Sequence, residues 1–73
     1  MNWLKFRATF PESGLFGYDL NDDEAVSYFW NGTDVGCWRV DRRTTIGRGD
    51  ILSAENAEIA RDYYKDKPLS RER

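Results

Sequence analysis

Residues 25–40 read AVSYFWNGTDVGCWRV and hold more large apolar surface than any other stretch of this 73-residue chain. The aromatic side chains in this stretch are Tyr28, Phe29, Trp30 and Trp38. Between them lies Asn31-Gly32, a strong turn signal. The stretch contains no recognisable catalytic constellation, so it informs on architecture rather than on chemistry.

The first half of this stretch is compatible with two structures. The preceding residues, Asn21-Asp22-Asp23-Glu24, resemble a helix N-terminus, with a capping residue and acidic side chains in the first turn. This pattern predicts a short helix over residues 25–30 that ends at Gly32. The alternative is a strand over the same residues, with Asn31-Gly32 turning a hairpin. Aromatic and β-branched content favours the strand, but the acidic run is poor strand material, and we therefore predict the helix.

Upstream, residues 3–10 read WLKFRATF and alternate in a way that is typical of a half-buried strand. One predicted face holds Leu4, Phe6, Ala8 and Phe10, and the other holds Trp3, Lys5, Arg7 and Thr9. The turn residues at 11–14, PESG, end this strand. Residues 15–20 predict a second strand, antiparallel to the first, in which Gly17 marks a bulge.

Downstream, residues 35–46 predict a further strand, with Val35, Cys37 and Arg39 on one face and Trp38, Val40 and Arg42 on the other. The glycines of residues 47–50, GRGD, predict a loop. Ser53 is the predicted N-cap of a C-terminal helix, whose inner face holds Ala57, Ala60 and Tyr64. The sequence therefore predicts one α+β domain over residues 1–67. It comprises a small antiparallel sheet of three or four strands, a short central helix and a C-terminal helix, and a disordered charged tail follows over residues 68–73.

The charges are distributed unevenly along the chain, whose formal net charge is -2. Residues 12–34 carry only acidic charges, whereas residues 35–48 carry four arginines against Asp41. Cys37 is the one cysteine of the chain, so no internal disulfide framework exists, and it is interpreted as a packing residue in a reducing compartment. Neither a signal peptide nor an apolar run long enough to span a bilayer is evident. We therefore expect a soluble, intracellular protein.

Residue chemistry argues against an enzyme. Histidine is absent, and a single cysteine without a histidine partner is a poor nucleophile. The carboxylates of residues 22–24 lack the alternating spacing of a calcium loop. Both Arg48-Gly49-Asp50 and Asn31-Gly32-Thr33 match motifs that act only on exported proteins. We predict no catalytic residue, no metal and no cofactor.

Two groups of side chains are candidates for partner binding. One is the predicted strand face with Trp3, Lys5 and Arg7. The other is the strip formed by Trp38, Arg39, Arg42 and Arg43. Arginine and tryptophan are enriched at protein–protein hot spots, although the same residues could form a solvated strand or contact nucleic acid. Direct nucleic-acid binding is the less favoured of these alternatives, because such modules are normally basic overall.

The opening residues MNWLKFRATFPESG, together with the length of the chain, resemble a small transcription regulator family of lytic phages, represented in a phage that infects Xanthomonas. The resemblance implies a protein that acts in the host bacterial cytoplasm and binds the largest subunits of the host RNA polymerase, and we expect it to be a monomer. There it competes with sigma, inhibits transcription initiation and supports antitermination. The alternative hypothesis is an acidic decoy that blocks a host defence enzyme such as a CRISPR effector or restriction enzyme. Its phosphate-like surface would consist of residues 19–24 with Asp34.

Overall fold

The computed structural model describes residues 1–67. Its regular elements, in chain order, are helix α1 (Trp3–Thr9), a 3₁₀ turn (Glu12–Gly14), strands β1 (Leu15–Leu20), β2 (Glu24–Trp30), β3 (Val35–Asp41) and β4 (Gly47–Ile51), and helix α2 (Ala54–Tyr64). The strands form one antiparallel sheet in the order β1-β2-β3-β4. The predicted α+β class is thus confirmed. The tail predicted over residues 68–73 lies outside the described residues.

The helix predicted over residues 25–30 is wrong, because these residues belong to β2. The Asn21 side chain accepts hydrogen bonds from the backbone amides of Asp23 and Glu24 at 2.8 and 2.9 Å, and the Asn21 amide donates to the Glu24 carbonyl. The capping chemistry is therefore real, but it closes a β1–β2 hairpin instead of starting a helix. The alternative structure for these residues, a strand followed by an Asn31-Gly32 hairpin turn, is correct.

The same side-chain chemistry recurs in the other two hairpin turns. Asn31 accepts from the amides two and three residues further on at 2.9 and 2.7 Å, and Asp41 does so at 2.8 and 3.1 Å. Gly32 has a φ of 98°, a conformation that glycine adopts without steric cost. Each strand connection therefore begins with a short polar side chain that satisfies the turn backbone.

The strand predicted over residues 3–10 is also wrong, since residues 3–9 form α1 and Phe10 is its C-cap. Asn2 caps the helix by accepting from the Lys5 amide at 2.9 Å. Trp3, Phe6 and Phe10 are spaced three and four residues apart, which places them on one helical stripe. The stripe packs on the sheet and leaves Leu4 81 % exposed. The apolar residues of this segment fit both the two-residue period of a strand and the 3.6-residue period of a helix. Burial of the aromatic stripe stabilises the helix.

Residues 47–51 form strand β4, although the glycines there predict a loop. Aromatic rings lie directly on these glycines, since a Cβ on Gly47 would be 2.7 Å from the Trp38 ring and one on Gly49 would overlap the Phe6 ring. The predicted strand over 35–46 is correspondingly shorter and ends at Asp41. Here glycine provides room for rings rather than flexibility.

The core lies between α1 and the sheet. Phe6, Phe10 and Phe29 form its buried centre, with Met1, Leu15 and Trp38 packed against it. On the opposite sheet face, the Tyr64 ring of α2 lies against Gly17 and 5.4 Å from the Tyr28 ring. The predicted bulge in β1, the Ser53 cap and the burial of Cys37 are all confirmed.

Candidate protein-binding surface

Three of the predicted binding residues come together beside α1. The Trp3 and Trp38 rings meet edge to face with centroids 4.8 Å apart. The Arg7 guanidinium carbon lies 5.5 Å from the centroid of the Trp3 ring, one helical turn further along. Trp3 remains 49 % exposed, which is a large apolar surface to leave in water. We call this cluster the Trp3–Arg7–Trp38 surface.

A small cavity of about 370 Å³ opens into this surface. Its lining consists of Trp3, Arg7, Glu12, Ser27, Phe29 and Trp38. Arg7 and Glu12 face each other across it at 3.5 Å, and the Glu12 side chain is mostly exposed. Such a long and solvated ion pair contributes little stability, so a partner can displace it at small cost.

Glu12, Ser27 and Phe29 are members of the surface that the sequence did not identify. Ser27 lies directly across from Trp38 in the β2–β3 pairing. The strand alternative for residues 25–30 would have placed it on the same sheet face as Trp38. The sequence therefore indicated that Ser27 belongs with Trp38, but only under the strand alternative for residues 25–30.

Lys5 does not belong to this cluster. It follows Trp3 by two residues, which corresponds to about 200° around a helix, so the two side chains leave α1 on opposite sides. The predicted face with Trp3, Lys5 and Arg7 together is therefore wrong, because it required the strand period. Trp3 and Arg7 share a flank of α1, and Lys5 is exposed elsewhere.

Arg39 lies on the other face of the sheet from Trp38. Its guanidinium donates to the Glu24 carboxylate at 3.1 Å and lies 3.9 Å from the Cys37 sulfur. Burial raises the pKa of the Cys37 thiol, although the nearby arginine charge acts in the opposite direction. Arg39 thus covers a buried thiol and is separated from the tryptophans by the thickness of the sheet.

Arg42 and Arg43 lie in the β3–β4 turn and differ in their contacts. The Arg42 guanidinium donates to the Asn21 carbonyl, and the Arg42 amide donates to the Asp23 carbonyl at 2.9 Å. Arg42 therefore ties the two turns at this end of the sheet. Within residues 1–67, the Arg43 guanidinium makes no hydrogen bond or ion pair. The predicted strip from Trp38 to Arg43 is consequently divided among two faces and a turn.

A wider groove of about 1060 Å³ lies on the α2 side and contains none of the predicted binding residues. There the Arg61 guanidinium carbon lies 3.9 Å from the centroid of the Trp30 ring. The exposed face of Trp30 is thus already occupied by a cation from the same chain. Both acidic and basic side chains line the groove, so it presents no single charge to a partner.

The acidic residues of the decoy hypothesis do not form one surface. Asp22 and Asp23 lie in the β1–β2 turn, and Asp34 lies in the β2–β3 turn at the opposite end of the sheet. Glu24 is paired with Arg39. A phosphate mimic needs a row of adjacent, unpaired carboxylates, and here Asp34 is separated from the Asp22–Asp23 pair by the length of the sheet.

Among the described residues, no set of carboxylate and thiol side chains is arranged to hold a metal ion. Neither α1 nor α2 is long and apolar enough to cross a membrane. Comparison with protein-family models, with curated proteins and with solved structures finds no match to this chain.

Proposed function

We propose that this chain is a phage protein that binds the host bacterial RNA polymerase and inhibits transcription initiation. The observation that carries the proposal is the Trp3–Arg7–Trp38 surface, where two tryptophans and an arginine meet at the protein surface. Tryptophan and arginine are the residues that most often dominate the energy of protein interfaces. The resemblance of residues 1–14 to phage regulators suggests the polymerase as the partner.

Inhibition follows if this surface and sigma occupy overlapping parts of the largest polymerase subunits. Two ligands that exclude each other are coupled, so each weakens the apparent affinity of the other. Excess sigma is therefore expected to restore initiation. Antitermination follows from the same contact when the chain stays on the polymerase after sigma has left. The separation of the acidic residues gives the decoy hypothesis no comparable support.

The test compares two charge reversals on the same helix. Arg7→Glu changes the proposed surface, and Lys5→Glu makes the same change on the opposite side of α1. With purified Xanthomonas RNA polymerase, the wild-type chain is expected to bind and to reduce promoter-dependent transcription. Arg7→Glu is expected to bind at least about tenfold more weakly, and Lys5→Glu to remain within about twofold of wild type.

Circular dichroism of both variants verifies that they fold. Absence of binding by the wild-type chain would remove the polymerase from the proposal. Equal losses in the two variants, with the fold intact, would show that the Trp3–Arg7–Trp38 surface is not the contact.

A further inference from the structure

Resting on the proposed function, we infer that the Trp3–Arg7–Trp38 surface continues as a groove over β1 and β2, and that this groove takes an amphipathic helix of the partner. The helix lies beside α1, with its apolar side on the sheet and an acidic flank toward Arg7. The inference names the chemistry of the partner segment, which the proposed function leaves open.

The groove exists because α1 covers only part of its sheet face. Phe6 packs over Gly49 in β4, and Phe10 packs over Gly36 in β3. The Met1 carbonyl accepts from the Gly49 amide at 2.9 Å, which also holds the start of the chain over β4. α1 reaches β2 at Phe29, whose ring centroid lies 5.4 Å from that of Phe6, but it leaves the other end of the β1–β2 half open, where Leu20 is 53 % exposed.

The floor of the groove consists of two cross-strand rows. One row is Tyr18, Ser27 and Trp38, and the next is Leu20, Ala25 and Val40. The central residues of the rows, Ser27 and Ala25, are small, while tryptophan and leucine rise on either side. The floor from β1 to β3 spans two strand spacings, roughly 10 Å, which matches the diameter of one helix.

The wall of the groove is the flank of α1. Arg7 lies on this flank, and Leu4 is the next position around the helix toward solvent. Leu4 is 81 % exposed and Leu20, on the far side of the floor, is 53 % exposed. Both apolar side chains would be covered by a helix seated between them. The weakly paired Arg7 guanidinium provides the contact for a carboxylate on the partner.

Backbone pairing argues for a helix rather than an added strand. β2 is hydrogen-bonded to β1 on one side and to β3 on the other, and a strand that paired with the outer edge of β1 would extend the sheet sideways without covering the floor. A partner can therefore engage this face only through side chains, as a helix does when it packs on a sheet.

The first experiment measures polymerase binding by Ser27→Arg, which places a long charged side chain on the floor. Asn56→Arg is the matched control, because it adds the same side chain to the exposed face of α2. Ser27→Arg is expected to bind at least tenfold more weakly, and Asn56→Arg to bind like wild type. Leu20→Glu, at a position exposed enough to tolerate charge, is expected to lose binding too. Undiminished binding by Ser27→Arg and Leu20→Glu would overturn the groove while leaving the proposed function intact.

The second experiment reads the structure of the partner segment. A Ser27→Cys chain is labelled with a benzophenone maleimide, and its crosslinks to polymerase are mapped by mass spectrometry. Native Cys37 is buried and is not expected to react. Crosslinks three and four residues apart would support a helix, whereas crosslinks at alternate residues would overturn it.

A third arm separates the inference from the polymerase proposal. A synthetic 18-residue helix, with leucine along one side and glutamate on its flanks, is titrated while tryptophan fluorescence is recorded. If the peptide binds wild type and binds Ser27→Arg at least tenfold more weakly, the groove is supported even if polymerase is not bound. Failure of this peptide to bind wild type would overturn the inference. So would sedimentation data showing a dimer that Ser27→Arg dissociates, because the occupant would then be a second copy of this chain.

Discussion

Gly49→Ala is expected to destabilise the domain and to disturb the Trp3–Arg7–Trp38 surface. A Cβ at this position would overlap the Phe6 ring and lie 2.9 Å from Cε3 of Trp38. Phe6 is fully buried, so its ring cannot rotate into solvent to make room. The new methyl group must therefore push α1 away from β4.

Two opposing effects determine the size of the change. Gly49 does not have a positive φ, so alanine is compatible with its backbone and would by itself stabilise the domain by about 0.4–1 kcal/mol through the unfolded state. Overpacking of a well-filled core costs about 1–3 kcal/mol. Overpacking is the larger effect, and we expect a net loss of about 1–2 kcal/mol. For a domain of this size, that corresponds to a fall in Tm of roughly 5–15 °C.

Urea unfolding followed by tryptophan fluorescence measures the loss, and Gly32→Ala is the control. Gly32 has a φ of 98°, and a Cβ added to it would have no atom within 4 Å, so alanine there costs about 1 kcal/mol through conformation alone. In a Phe6→Leu background, the cost of Gly49→Ala should fall by about 1 kcal/mol, whereas the cost of Gly32→Ala should not change. A neutral or stabilising Gly49→Ala would refute the packing argument, as would equal costs in the two backgrounds.

Three further predictions concern titration and the turns. Native Cys37 should react with a disulfide reagent at least about 100-fold more slowly than the thiol of the urea-unfolded chain, because it is buried and its pKa is raised. Only the unfolded thiol ionises at its ordinary pKa, so the Cys37 thiol makes the free energy of unfolding fall as pH rises above that value. Hydrogen bonds from the backbone amides after Asp41 lower its pKa, so its contribution is complete above the ordinary carboxylate pKa and is lost as pH falls through the lowered one. Acid titration of Asp41→Asn, followed by circular dichroism, should therefore show a smaller loss of stability below about pH 4 than wild type. Finally, Arg42→Glu should lower the free energy of urea unfolding by about 1–2 kcal/mol, because it breaks the hydrogen bond to the Asn21 carbonyl. The control, Arg43→Glu, should change the free energy of unfolding by less than about 0.5 kcal/mol. Equal effects of the two substitutions would contradict the structural role of Arg42.

Elements with a strong local signal were predictable from the sequence. The C-terminal helix begins after Ser53 because its hydroxyl accepts from the Asn56 amide, and a serine before acidic residues indicates that chemistry. Strand β1 and its bulge between Leu15 and Gly17 follow from local composition. In each of these cases, neighbouring residues alone determine the conformation.

Residues 21–30 show why a local signal can have two outcomes. An asparagine oxygen that accepts from the amides two and three residues ahead is found both at a helix N-terminus and in a tight turn. What decides between them at Asn21 is the strand pairing that follows, in which Val26 is buried opposite Arg39. That pairing involves residues more than ten positions apart and is not visible in the capping pattern.

The candidate surface was predictable only in part, because secondary structure decides which side chains share a face. In a strand, Trp3, Lys5 and Arg7 point the same way; in a helix, Trp3 and Arg7 do, and Lys5 does not. The same rule separates Trp38 from its neighbour Arg39, since adjacent residues of β3 face opposite sides of the sheet. The residue types that suit a protein interface were therefore identifiable from the chain, but their grouping depends on the period of each element. A charge reversal at Arg7 consequently tests partner binding more directly than reversals at Arg42 and Arg43 of the predicted strip would. Arg7 adjoins both the tryptophans and the open floor of the sheet, whereas Arg42 holds two turns together.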